Sequence, residues 1–249
     1  MFFRRVYFSS MQLVLDLDDR TRVLAQIHHR LKSHFGCPID HQQLDPVSQL
    51  VMSLIGGKTR GAVSLAAYMR LWTRFRSWEA VRDGPVALIE ECIAGVTFAD
   101  VKAPRLKTAL QMITHEQGAL TLAVLEPMSV YEAHQWLERL PGVGRKVAAA
   151  TLNFSTLRKR TLVVDTHHLR VLIRLKFIAD RATIARAYDH VMPLLPSMWQ
   201  AGDLDKHHSL MKRLGQTICL HGAPFCPDCP LRTRCPAGLN EPTNPGRQS

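Results

Sequence analysis

Four of the six cysteines in this 249-residue sequence lie close together near its end, with the spacing C-x6-C-x2-C-x5-C. Thiolates at such a spacing can converge on one soft metal centre, because zinc and a [4Fe–4S] cluster both accept four of them. Zinc sites usually contain two Cys-x2-Cys pairs, and only one pair here has that spacing. The run therefore favours the cluster, with zinc and purely structural cysteines left open. Its members are Cys219, Cys226, Cys229 and Cys235.

A second candidate is the turn at 140–146, which reads Leu-Pro-Gly-Val-Gly-Arg-Lys between two predicted helices. Gly142 and Gly144 let the backbone turn sharply and approach another backbone closely. The helix that follows presents unpaired N–H groups and the positive end of its dipole, which suit a phosphate. The positive charges of Arg145 and Lys146 are unfavourable at this positive end of the helix dipole, so their presence here indicates a function. The alternative is also open that this is a plain helix–turn–helix, in which the glycines only allow the turn and bind no ligand.

A third candidate is the Val-Asp-Thr-His segment at 164–167, which precedes another predicted helix. Taken alone, Asp165 is an ordinary helix N-cap. It becomes a candidate functional residue because of the motifs on either side of it.

The composition and the charge exclude several classes of protein. With 46% hydrophobic and 21% charged residues, the sequence is typical of a globular protein and excludes a disordered, fibrous or disulfide-stapled chain. The 32 Lys and Arg against 21 Asp and Glu give a net charge of +11, which favours a polyanionic partner, nucleic acid before membrane. We find no apolar stretch of membrane-spanning length and no secretory signal, so we expect a cytosolic protein whose cysteines stay reduced.

Apolar residues at helical spacing, interrupted by Gly and Pro, predict an all-α chain. The one apolar β-branched run, 161–164, is only four residues long. The helices are predicted at 18–35, 46–55, 59–75, 77–82, 86–94, 101–117, 129–139, 144–154, 166–176, 181–194 and 203–220.

Taken together, the glycine turn ending in Lys146, the Val-Asp-Thr-His segment and the four-cysteine run closely resemble endonuclease III, of the helix-hairpin-helix (HhH-GPD) DNA glycosylase superfamily. The likeness covers roughly residues 24–236. It implies two helical domains with a DNA cleft between them. A six-helix barrel with the hairpin would be 45–155, an iron–sulfur domain would combine 16–44 with 156–236, and the termini 1–15 and 237–249 would be disordered.

The resemblance also implies an enzyme of base excision repair. Such an enzyme flips a damaged base, here an oxidised pyrimidine, out of double-stranded DNA. The amine of Lys146 would attack the sugar, form a Schiff base and cleave an abasic site by β-elimination, while Asp165 steadies the developing charge. We expect Arg145 and the helix N-terminus to disfavour the ammonium form of Lys146. The four cysteines take the positions of the [4Fe–4S] ligands. We expect a monomer that is cytoplasmic and associated with the nucleoid.

Several residues are candidates for DNA contacts. Backbone amides of the hairpin would bind phosphates, as would two arginines between the last two cysteines, unless those belong to a solvated loop. Where the family has a Ser-Ala-Gln-type segment, this sequence has Gly-Gly-Lys at 56–58, and Lys58 would probe the gap left by the flipped base. Phe98 is either a wedge that unstacks the duplex or a core residue. The remaining contacts are Gly142, Val143, Gly144, Arg145, Arg232 and Arg234.

Two other functions stay open at this point. A glycosylase without lyase activity could act on a different damaged base, since the Gly-Gly-Lys segment departs from the family pattern. A redox-sensing iron–sulfur protein could bind DNA without catalysing a reaction. Lys146 and Asp165 favour the enzyme, because a binding module does not need that pair.

Overall fold

The computed structural model describes residues 10–38 and 42–239, and this part of the chain contains twelve α-helices and no strand. The predicted all-α class is confirmed. The helices are α1 (Ser10–Phe35), α2 (Pro46–Ile55), α3 (Gly61–Phe75), α4 (Trp78–Asp83), α5 (Val86–Cys92), α6 (Ala99–Gln117), α7 (Val130–Glu138), α8 (Arg145–Phe154), α9 (Thr166–Arg174), α10 (Ile184–Val191), α11 (Ala201–Thr217) and α12 (Pro236–Leu239). Short 3₁₀ turns cover Ala123–Leu125, Met192–Leu194, Cys226–Asp228 and Arg232–Arg234. None of the helices in the described residues has the length and apolar character needed to cross a membrane.

The chain ends differ from the prediction where they are described. Helix α1 begins at Ser10, and α12 covers residues 236–239, so parts of both termini that we expected to be disordered are helical. At the C-terminal end, the helix packs on the cysteine loop through Gly238, which is buried against Arg232 and Cys235. The remainder of those predictions, at 1–9 and 240–249, lies outside the described residues.

Backbone contacts divide the chain into two units. Of the described residues, one unit contains 42–163 with 200–205, and the other contains 10–38, 164–199 and 206–239. The first unit therefore extends beyond the predicted 45–155. Side-chain bonds from Asn153 explain the extension, since its amide donates to carbonyl oxygens of Lys159, Thr161 and Ala201.

Local sequence explains where several helices of the first unit begin. The Asp45 carboxylate accepts hydrogen bonds from the backbone N–H of Val47 and of Ser48, each at 3.0 Å, and thereby caps α2. Ser129 and Glu132 form a reciprocal capping box at the start of α7. These caps satisfy N–H groups that a helix start leaves without a partner.

The core of the first unit forms where α2 packs against α3, α6 and α8, and where α6 packs against α4 and α5. Apolar side chains at helical spacing meet there and are fully excluded from water, which stabilises the unit. The largest of them are Leu50, Ile55, Leu71, Ile89, Leu106, Leu110 and Ile113.

The second unit combines distant parts of the chain. Helix α1 contributes Leu24, Ile27 and Leu31 as a fully buried stripe, and Arg213 donates to the carbonyl oxygen of Phe35 at 3.0 Å. Helix α9 packs against α10 and α12. This unit therefore depends on contacts between residues that are far apart in the sequence.

Histidine rings fill part of this second core. The ring of His207 lies 5.4 Å from that of His168, 5.6 Å from that of His28 and 5.3 Å from that of Trp199, measured between centroids. Within the described residues, neither ring nitrogen of His207 has a hydrogen-bond partner. Burial, followed by the neighbouring histidines, lowers the pKa of His207 well below its usual value. The side chain is therefore held neutral.

This buried histidine predicts acid sensitivity. Because the pKa of His207 is lower in the folded protein than in the unfolded chain, the unfolded chain binds more protons below about pH 6.5. The free energy of unfolding should fall as the pH drops below that point, by up to about 1.4 kcal/mol per pH unit from this group. We expect His207→Leu to flatten the dependence in urea unfolding measured between pH 7 and 5. His115→Leu, at an exposed position, should leave the pH dependence of the free energy of unfolding unchanged. The prediction would be contradicted if His207→Leu had the same pH dependence as the natural protein.

Candidate functional site

The glycine turn connects α7 to α8 and adopts the conformation that its residues allow. Gly142 has φ +84°, in the left-handed region that favours glycine. A Cβ at this position would lie 3.4 Å from Cδ of Arg105 and 3.7 Å from Cδ2 of Leu54, so the turn packs on α6 and on α2. Val143 is buried beneath it, while Gly144 is exposed and N-caps α8 with an extended backbone. The hairpin therefore presents two exposed glycines at a helix start.

Gly142 and Gly144 differ in backbone conformation, and so in whether another residue can replace them. We expect Gly142→Ala to lower the free energy of unfolding by about 1–2 kcal/mol, because alanine is strained at a left-handed φ. Gly144→Ala is the matched control, since its backbone is extended and no atom within 4 Å would meet the new methyl group. Urea unfolding of both variants measures the difference. Equal effects at the two positions would show that the left-handed turn is not needed.

Lys146 lies half-buried in the first turn of α8. The Nε of its neighbour Arg145 donates to Oε1 of Glu138 in a salt bridge. This ion pair joins the end of α7 to the start of α8.

The Gly-Gly-Lys segment forms a turn after α2, in which Lys58 is exposed with φ +56°. Thr97 joins this turn to the loop before α6, since its N–H donates to Oγ1 of Thr59 and its hydroxyl donates to the Lys58 carbonyl, each at 3.1 Å. The amine of Lys58 lies 5.6 Å from the centre of the Phe98 ring. Phe98 is 55% exposed, so it is not a core residue. The structure therefore brings Lys58 and Phe98 together on the surface.

Behind this turn lies Lys102, which we did not identify from the sequence. Its amine donates to the carbonyl oxygens of Ile55, at 2.8 Å, and of Gly57. Burial, followed by the charges of Lys146 and Lys58, lowers the pKa of Lys102 to about 8. Three lysine amines thus lie in one neighbourhood of the first unit.

Asp165 belongs to the second unit and N-caps α9. Its Oδ1 accepts from the backbone N–H of His167 at 2.9 Å and of His168 at 2.8 Å, so capping is a real role of this residue. Both bonds use one carboxylate oxygen, which leaves the other outside the cap. Burial would raise the pKa of Asp165, but His208 and the backbone N–H of His168 outweigh it and hold the pKa below its usual value. The carboxylate is ionised at neutral pH.

The four cysteines line one pocket in the second unit, together with residues that include Arg174, Pro224 and Arg232. None of the four forms a disulfide in the part of the chain that the structure describes. Burial raises the pKa of Cys229 to about 11, partly offset by a hydrogen bond from the Leu231 N–H and reinforced by the other three cysteines. Across the described residues, no three His, Cys, Asp or Glu side chains form a group ready to hold a single ion. The four cysteines are thus brought together at one small pocket.

Two arginines of α9 hold the first of these cysteines in place. The Arg174 guanidinium donates to Sγ of Cys219 at 3.1 Å and to the Leu220 carbonyl oxygen at 2.6 Å. Arg170 donates to the Cys219 carbonyl oxygen at 2.9 Å. These arginines follow Asp165 on the same short helix.

The two arginines between the last cysteines occupy different places. Arg232 is half-buried and lines the cysteine cavity, whereas Arg234 is exposed. Arg234 shares a surface groove with Arg22 and Arg30 of α1, and Arg30 donates to Oγ1 of Thr233 at 3.2 Å. The groove is basic, as a phosphate-binding surface requires.

The sequence matches the family model of the HhH-GPD superfamily base excision DNA repair protein over residues 51–197, more than half of the chain. The chain belongs to this superfamily. Among similar HhH-GPD proteins is endonuclease III of Thermotoga maritima, 27% identical over 199 residues, which cover 80% of this chain and 86% of the relative. An endonuclease III homolog of Encephalitozoon cuniculi is 29% identical over 163 residues, covering 65% of this chain and 60% of the relative.

Solved structures show the same HhH-GPD fold. A trapped endonuclease III–DNA covalent intermediate matches with a TM-score of 0.66 at 21% identity, covering 93% of this chain and 98% of that one. A thermostable thymine-DNA glycosylase matches with a TM-score of 0.67 at 18% identity, covering 88% and 96%. The predicted endonuclease III-like membership is confirmed, and these relatives support the predicted DNA glycosylase class.

Proposed function

We propose that this HhH-GPD protein removes a damaged base from double-stranded DNA and then cleaves the resulting abasic site. One observation supports the proposal above the others. Lys146, at the position of the family's catalytic lysine, lies half-buried at a helix start beside Lys102, an amine whose pKa is about 8. A cationic, partly desolvated neighbourhood favours a neutral amine, which is the form that attacks carbon.

The reaction then follows from the residues in place. The neutral amine of Lys146 forms a bond to C1′ as the bond between C1′ and the base breaks, and the sugar opens to a Schiff base. The imine makes a proton on C2′ acidic, so that β-elimination expels the 3′ phosphate. Asp165 stays ionised and has one carboxylate oxygen outside its helix cap, with which it would stabilise the positive charge that grows on the sugar.

DNA would be bound mainly through its phosphates. The exposed backbone around Gly142 and Gly144 offers N–H groups, and the groove that contains Arg30 and Arg234 offers positive charge. Lys58 and Phe98 share an exposed position beside the turn, which suits insertion into the base stack. We propose an oxidised pyrimidine as the substrate.

The cysteines fit a [4Fe–4S] cluster. Their side chains line one pocket, and the Arg174 guanidinium donates to the sulfur of Cys219. Cys219, Cys226, Cys229 and Cys235 would hold the cluster. When bound, it supplies four iron–thiolate bonds that crosslink the loop. The reaction itself uses Lys146 and Asp165.

A panel of duplexes tests this function. Full-length protein is incubated in EDTA with duplexes that contain an abasic site, thymine glycol or 8-oxoguanine, with Lys146→Gln as the control. We expect cleavage at the abasic site by β-elimination and at thymine glycol, and intact 8-oxoguanine DNA. Base release without strand cleavage would identify a glycosylase without lyase activity, and binding without any product would identify a non-catalytic DNA-binding protein.

A further inference from the structure

Lys102 is held more firmly than a surface lysine. It lies on α6, and its amine reaches the last turn of α2, where it donates to the Ile55 and Gly57 carbonyl oxygens and approaches Oγ1 of Thr59 at 3.5 Å. Carbonyl oxygens at the C-terminal end of a helix carry partial negative charge and lack helical partners, so they attract a cation. Lys102 therefore fixes the end of α2.

The segment that Lys102 fixes contains Lys58. Gly57, whose carbonyl oxygen accepts from Lys102, is the residue immediately before Lys58, and Lys58 has a left-handed backbone. A non-glycine residue at positive φ is strained and needs surrounding contacts to hold it there. The bonds from Lys102 and from Thr97 supply those contacts.

Lys102 also lies beside the lysine that the proposed reaction uses. The hairpin that precedes Lys146 packs on Leu54, next to the carbonyl that Lys102 binds, and on Arg105, one helical turn after Lys102. The charges of Lys146 and Lys58 both act on the Lys102 amine. Because an electrostatic interaction between two amines is mutual, the charge of Lys102 also acts on Lys146.

The other charges nearby do not remove this effect. Arg105 follows on the same helix and adds positive charge, while the carboxylate of Asp100 is exposed at the start of α6. Arg145, the neighbour of Lys146 in the sequence, is paired with Glu138. Lys102 is therefore a half-buried source of positive charge in this neighbourhood.

We propose that Lys102 is a positioning residue for the lyase reaction: it fixes the turn that contains Lys58, and its charge favours the neutral form of the Lys146 amine. The inference rests on the proposed function and deepens it. In this proposal Lys102 contacts neither the DNA nor the reacting atoms, and its charge sets the pH range in which Lys146 reacts.

Lys107 provides a matched control. It lies on the same helix, and its amine likewise donates to the carbonyl oxygens that end another helix, those of Gly84 at 2.6 Å and Asp83 at 3.5 Å after α4. Lys102→Met and Lys107→Met thus remove the same kind of contact, but only the first removes a charge beside Lys146. Lys102→Arg keeps that charge.

The test has two readouts on the full-length protein. Lysine amines labelled with ¹³C by reductive methylation are titrated by NMR in the absence of DNA, and cleavage of an abasic duplex is followed against pH. In Lys102→Met we expect Lys146 to titrate at a higher pH and cleavage at pH 7 to fall about three- to tenfold, with the difference shrinking towards pH 9. Lys107→Met and Lys102→Arg should both resemble the natural protein.

The reciprocal variant keeps the proposal testable even if Lys102→Met folds poorly. Lys146→Gln removes the other charge of the pair, so the Lys102 amine should titrate at a higher pH than in the natural protein. An unchanged Lys102 titration there, or a loss of cleavage in Lys102→Met that is the same at every pH, would overturn the proposal. A natural protein that cleaves no abasic DNA would refute the proposed function, while the titrations would still decide whether the two lysines are coupled.

Discussion

Replacing Lys146 with glutamine is expected to abolish borohydride trapping of the protein on an abasic duplex and to lower strand cleavage by about 1,000-fold or more. Trapping reduces a Schiff base, which only an amine can form, and glutamine has none. The variant should keep its fold, because Lys146 lies in the first turn of α8 and is only half-buried. It should also keep DNA binding, since the hairpin backbone is unchanged. The trapped adduct is measured by gel electrophoresis.

Two further variants make the result specific. Lys176→Gln removes a lysine that pairs with Asp180 on the surface of the second unit, and it should trap as the natural protein does. Asp165→Asn keeps a side-chain oxygen for the cap of α9 but loses the charge, so it should fold and yet react more slowly. An undiminished adduct in Lys146→Gln would assign the Schiff base to another amine, and Lys102 would then be examined first.

The second large effect is expected from the cysteine cavity. Cys226→Ala should prevent the cluster from forming, so that iron content and the broad absorption near 400 nm are both lost. The loop that contains Arg232 and Arg234 would lose its crosslink, and DNA affinity should fall roughly tenfold or more at fixed salt. The protein should also unfold more readily, because binding of a metal centre contributes to folding free energy.

Cys92→Ala is the matched control, since this thiol lies on α5 in the other unit, away from the cavity. Its iron content and DNA affinity should be unchanged. Zinc in place of iron in the natural protein would refute the cluster. Full DNA affinity in an iron-free Cys226→Ala would show that the loop and its arginines do not contribute to binding.

The features that the sequence predicted well are those encoded by neighbouring residues. Helix α2 was placed at 46–55, where it lies, because Asp45 and Pro46 mark its start unambiguously. Helix α10 was predicted at 181–194 but covers only Ile184–Val191, since Thr183 caps it and a 3₁₀ turn follows. Local signals thus find a helix more reliably than they find its ends.

The residues that the sequence did not reveal are those whose role depends on tertiary contacts. Lys102 has no local signature, because the carbonyl oxygens that it binds are more than 40 positions away. Arg174 follows Asp165 on α9, but its bond to Cys219 spans 45 positions. The salt bridge between Arg145 and Glu138 joins residues only seven positions apart, yet it too depends on the hairpin that lies between them. The spacing of residues in the sequence identifies candidate functional groups, whereas the fold determines which partners each of them has.

The second unit is assembled from three separate stretches of chain, and this has a consequence for how the protein is made. Helix α1 is synthesised early, but Arg30 bonds to Thr233, 203 positions later. At typical ribosomal rates of 5–20 residues per second, α1 would wait about 10–40 s for that partner. Helix α1 also packs on the 3₁₀ turn Met192–Leu194, so the apolar stripe at Leu24, Ile27 and Leu31 lacks this part of its core until that turn has been made. Residues 42–163 form most of the first unit and are made before that turn, so premature termination before Met192 should leave the apolar stripe of α1 exposed and prone to aggregation.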